Sequence, residues 1–107
     1  MKIVKFESSL VPLVLLGQKT STWRLFDDKD LQIGDELVLV NKESGEEFAK
    51  ARIVTLKEKK LGEITDADFE GHERFESTEK MYEAYRGYYG DRVTAETMVK
   101  MIDFKLI

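Results

Sequence analysis

Short runs of alternating or β-branched residues, each ended by a turn signal, constrain this chain most. Residues 2–6 (KIVKF) alternate, residues 20–25 (TSTWRL) are β-branched and aromatic, and residues 36–40 follow a Gly34-Asp35 turn. Residues 48–57 lie across a hairpin signal centred on Gly45, and residues 98–106 (MVKMIDFKL) alternate again. In the hairpin partner, Ala49, Ala51, Ile53 and Thr55 fall on one face. Only one segment has the length and period of a sustained helix. Residues 79–89 place Met81, Tyr82, Tyr85, Tyr88 and Tyr89 at three- and four-residue spacing, with Ser77 or Thr78 as cap and Gly90 as stop. A shorter helix is expected over 10–16, with Ser8 or Ser9 capping it, Pro12 near its start and Gly17 at its end. Thr65 suits the cap of one further turn. The order β-α-β-β-β-α-α-β, with hairpin signals and few helices, predicts an α+β fold. Its expected form is a small mixed β-barrel, partly closed, flanked by two or three short helices.

The 107 residues suit a single domain, 1–107. There is no cysteine, which removes disulfides, thiolate metal sites and thiol nucleophiles together. No stretch reaches the ~20 apolar residues needed to span a bilayer. The N-terminus carries Glu7 and Pro12 where a signal peptide would be apolar, so a cytoplasmic protein without a membrane partner is expected. The net charge of −4 argues against indiscriminate nucleic-acid binding. The charge is uneven, however. Lys50, Arg52, Lys57, Lys59 and Lys60 crowd residues 50–60 against Glu58 alone, and eight acids fall within 63–83. These are either two solvated faces or a basic ridge beside an acidic wall.

Two segments can carry chemistry. In LLGQKTSTWR (15–24), a helix stops at Gly17 and a strand begins, so Thr20, Thr22 and Arg24 share one face while Ser21 and Trp23 share the other. Lys19 beside Thr22 makes a base and a hydroxyl nucleophile available as a pair, and Arg24 can fork onto a phosphate or carboxylate. The plain alternatives are a surface lysine, a strand threonine and a structural salt bridge. Trp23 and the tyrosine stripe read mainly as core. In DADFEGHERFES (66–77), the single histidine, His72, sits among Asp66, Asp68, Glu70, Glu73 and Glu76. It lacks a second ligand at metal-binding spacing, so no metal is expected, and no cofactor fingerprint is present. Glu70, beside Gly71, is the carboxylate expected to face Lys19 and Thr22.

These residues together resemble the ASCH domain, a small β-barrel family similar to the PUA fold. The signature Gly-x-Lys-x-x-Thr-x-Arg is matched by Gly17, Lys19, Thr22 and Arg24, followed by IGDELVLV, EITDADFEGHERF, YYGD and a closing VKMIDFKLI. The resemblance implies a cleft beside the barrel that takes RNA or a nucleobase-like ligand. Some family members are amidohydrolases of N4-acetylcytidine, which implies Lys19, Thr22 and a glutamate as the catalytic set. Glu70 matches that glutamate through its Glu-Gly setting, and Glu73 matches it if the gap falls differently. Gly17, Arg24, Lys57 and Tyr89 are then the residues expected to bind the ligand. In the non-catalytic alternative the chain is an RNA-binding module, with Arg24, Lys57, Lys59 and Lys60 as its rim and Tyr88 or Tyr89 stacking on bases. A second alternative is a protein-interaction domain in RNA metabolism or transcription.

Overall fold

The computed structural model describes residues 1–107 apart from Asp28 and Glu73. The elements are β1 (Lys2–Phe6), α1 (Val11–Leu15), β2 (Ser21–Leu25), β3 (Glu36–Asn41), β4 (Glu47–Lys60), α2 (Thr78–Tyr89) and β5 (Met98–Leu106). Single 3-10 turns cover Ser8–Leu10, Leu61–Glu63 and Asp66–Phe69. The architecture is the expected mixed α+β arrangement. Five strands form one sheet in the order β1-β3-β4-β5-β2, with β1 parallel to β3 and every other pair antiparallel.

That order leaves β1 and β2 as the two outer strands, and the sheet curls until they face each other. The guanidinium of Arg24 on β2 donates to the Lys5 carbonyl on β1 at 3.2 Å. Ladder alternation explains why this carbonyl is available. Phe6 turns its carbonyl towards β3 and accepts from Lys42 N–H, so its neighbour Lys5 turns outward. The sheet is thus a half-barrel with a seam, and a side chain rather than a strand ladder bridges it.

Two apolar layers follow from the two-residue period. Inside the curl, Val4, Phe6, Leu37, Leu39, Ile53 and Ile102 pack with their neighbours. On the outer face of β2 and β5, Trp23, Leu25, Val99 and Met101 are covered by Met81 and Tyr85 of α2. Ser77 caps α2 by accepting from Lys80 N–H, and Gly90 ends it.

Three local expectations are corrected. Ser8 does not cap a helix; its hydroxyl is engaged by Asn41 and Glu43 of the β3–β4 turn. Thr55 does not continue the inward face of β4. The register against β5 slips between Ile53 and Thr55, so Leu56 turns inward while Thr55 is exposed and donates to Asp103. β4 also runs on to Lys60 rather than ending at Lys57.

This extension delivers Lys57 and Lys59 to Asp68, whose carboxylate accepts from their ammonium groups at 2.7 and 2.6 Å and from Thr65 N–H at 2.8 Å. Thr65 and Asp68 form a reciprocal capping box for the 3-10 turn. Burial alone would raise the Asp68 pKa, but these donors outweigh it and hold it well below the usual carboxylate range. The sign follows: stability from this group is fully present above about pH 4 and is lost as pH falls through the depressed folded value. Asp68→Asn is expected to cost about 2–3 kcal/mol at neutral pH. In urea unfolding followed against pH, the gap to wild type narrows as the pH drops towards about 2.

Candidate functional site

The seam opens into a cavity of about 410 Å³, within the range of about 300–1,000 Å³ usual for small-ligand pockets. Lys19, Thr22 and Arg24 all line it. The local fold explains how. Gly17 adopts a positive φ of 77° after α1, and the N–H groups of Gln18 and Lys19 both return to the Leu13 carbonyl at 2.9 and 3.0 Å. This C-terminal wrap turns the chain and sets Lys19 just before β2. Thr22 and Arg24 then follow on the inner face, Thr22 directly across the ladder from Ile102 and Arg24 from Lys100.

Lys19 and Thr22 are buried, at 4% and 6% exposure. The Lys19 ammonium stands 5.9 Å from the Phe6 ring centroid, and the Arg24 guanidinium 5.8 Å from the same ring. Burial lowers the pKa of Arg24, while the Tyr89 hydroxyl beside it acts in the opposite sense. Among the described residues, the buried Nε of Arg24 and indole Nε1 of Trp23 have no hydrogen-bond partner.

Aromatic rings line the same cavity. The His72 ring stacks on Trp23 at 4.1 Å and 20° between planes, Phe75 packs on Tyr85, and Tyr85 stacks on Tyr89. Tyr88 closes the mouth, donating to Glu7 at the end of β1 while Lys42 lies 5.3 Å over its ring.

The other expected residues divide. Tyr89 lines the cavity with Arg24. Gly17 does not line it and acts as the helix stop that orients Lys19. Glu70 is exposed and opens onto a separate cleft of about 370 Å³, with Thr20, Ser21, Lys57 and Asp103. Glu70 lines this second cleft and not the one lined by Lys19 and Thr22. Glu73 lies outside the described residues. Lys57 and Lys59 are held by Asp68, and Lys60 pairs with Glu96 at 2.8 Å, so none of the three rims the Lys19 cavity. Lys5, Glu7 and Lys42 at the mouth are additions to the site. No spacing links them to residues 17–24, because the parallel β1–β3 pairing alone puts them there. Among the described residues no group of histidines and carboxylates is arranged to hold a metal ion. No helix of the described residues is long and apolar enough to cross a membrane.

No protein-family model matches the chain, and no curated protein matches it by sequence. Solved structures do. An ASCH domain of Lactobacillus crispatus superposes with a TM-score of 0.74 at 14% identity, over 98% of this chain and 79% of that one. A protein of Enterococcus faecalis gives 0.75 at 14% identity, over 92% and 70%. An ASCH protein of Zymomonas mobilis gives 0.68 at 9% identity, over 96% and 65%. With half-barrel, seam and strand order in place, this chain has the fold of an ASCH-like domain.

Proposed function

We propose that the seam cavity binds a nucleoside or RNA base and hydrolyses the amide of an acylated nucleoside of the N4-acetylcytidine type. The observation that carries this reading is that a buried lysine and a buried threonine line an aromatic, small-ligand-sized cavity. An amine and a hydroxyl placed there are withdrawn from water, in a cavity whose aromatic lining suits a flat ring.

In this reading Thr22 Oγ1 bonds to the acyl carbon as its proton passes to the Lys19 amine. The carbon–nitrogen bond then breaks, and the Lys19 ammonium returns the proton to the departing exocyclic N4 amino group of cytidine. Water attacks the threonyl ester, Lys19 again carries the proton, and Thr22 is regenerated as the carboxylic acid leaves. The reading requires Lys19 to reach its neutral form during turnover, so kcat must rise with pH along one limb of the profile. Backbone N–H groups at Gly17, Gln18 and Lys19 are already committed to Val14 and Leu13 carbonyls, so they do not form an oxyanion hole. The Lys19 ammonium is the donor this reading retains.

The test is release of cytidine from N4-acetylcytidine by purified protein, with Glu70→Gln and Glu73→Gln as paired variants. Wild type is expected to turn over, and Glu70→Gln to keep kcat within about threefold because Glu70 faces another cleft. Loss of activity in Glu73→Gln alone would assign the carboxylate to that position. A folded wild type that binds cytidine but releases none would leave a binding module.

A further inference from the structure

We infer that the ligand of this cavity carries a phosphate on its sugar, held at the mouth by Lys5 and Lys42. The inference rests on the reading of the cavity as a nucleobase site and narrows what that site takes. The chain carries a net charge of −4, yet Lys5, Arg24 and Lys42 line the cavity with one described carboxylate, Glu7. A cleft lined by one sign of charge focuses its field on an oppositely charged ligand. An uncharged nucleoside would gain nothing from it.

The mouth lysines differ from four others on the sheet that are held in ion pairs. Lys57 and Lys59 are matched by Asp68, Lys60 by Glu96 and Lys100 by Asp27. Among the described residues, neither Lys5 nor Lys42 closes a salt bridge, although Lys42 stands near enough to Glu43 to help hold that carboxyl below its usual range. Both belong to one corner. Lys5 sits opposite Val40 in the β1–β3 register, and Lys42 follows two residues on with its N–H on the Phe6 carbonyl. The corner is also braced. The Lys5 carbonyl receives Arg24, and Lys42 rests on the Tyr88 ring, which Glu7 holds by accepting from its hydroxyl. Glu7 is therefore turned to Tyr88. With the base against Trp23, His72 and Phe75, the sugar side of the ligand faces this corner.

The experiment is calorimetric titration of cytidine, cytidine 5′-monophosphate and a short oligocytidylate into three proteins. These are wild type, the Lys5→Gln/Lys42→Gln double variant, and Lys50→Gln, an exposed lysine on β4 away from the cavity. The monophosphate is expected to bind wild type and Lys50→Gln about tenfold tighter than cytidine, and to lose that advantage in the double variant and at high salt. An oligocytidylate that keeps the advantage identifies a nucleotide within a strand, and one that binds no better than cytidine identifies a free nucleotide. Equal affinity for cytidine and its monophosphate overturns the inference while leaving the base site intact. So does an advantage that survives in the double variant. If no probe binds, the base-site reading itself fails.

Discussion

Gly71→Ala is expected to lower the stability of the protein by about 2–4 kcal/mol, a fall of roughly 10–20 °C in Tm. The Gly71 carbonyl accepts from both Thr20 and Ser21 N–H groups, at 2.9 and 3.1 Å, which ties the segment bearing His72 and Phe75 to the start of β2. Its φ is +77°, and a Cβ there would stand 2.3 Å from Thr20 Oγ1. Two costs therefore combine, a left-handed backbone and a clash with the Thr20 hydroxyl. Gly45→Ala separates them. Gly45 has almost the same φ, +76°, but a Cβ would meet nothing within 4 Å, so its cost should be only about 1–2 kcal/mol. Adding Thr20→Ala to Gly71→Ala removes the clashing hydroxyl and should recover part of the loss, a coupling that a double-mutant cycle in urea reads directly.

Lys19→Met and Thr22→Val should each reduce kcat for N4-acetylcytidine by about a thousandfold or more with little change in KM, because both act on the reacting atoms rather than on ground-state binding. The two substitutions nearly preserve side-chain volume at sites with 4% and 6% exposure, so thermal melting should show folded proteins in both cases. Their effects should not add. Once the nucleophile is gone, removing its base costs little more, and the double variant should resemble Thr22→Val alone. A KM-only effect would instead make Lys19 and Thr22 binding residues.

The strands and α2 were legible in the sequence because each is specified locally. Alternation marks β1 and β5, and Ser77 and Gly90 bracket a helix whose three- and four-residue spacing shows through the tyrosines. The pair Lys19 and Thr22 was legible for the same reason, since a helix stop and a strand phase place both. What was not legible depends on pairing between distant segments. The register slip near Val54, which replaces Thr55 by Leu56 in the core, is set by β5. The basic run of β4 reads as either a solvated face or a ridge, but a capping box nine to eleven residues later supplies Asp68 to hold Lys57 and Lys59. Glu70 reads as the partner of Lys19 because it adjoins Gly71, where the chain can bend close to a ligand. The approach, however, is made at Thr20 and Ser21, on the side of the second cleft.

Whether the seam between β1 and β2 is the ligand site can be read from a crystal structure of Thr22→Ala soaked with N4-acetylcytidine. The ring is expected against Trp23, His72 and Phe75, with the acyl carbon facing residue 22 and Lys19 and the sugar towards Lys5 and Lys42. Density for the ligand in the cleft of Glu70 and Asp103, with the seam cavity empty, would contradict it.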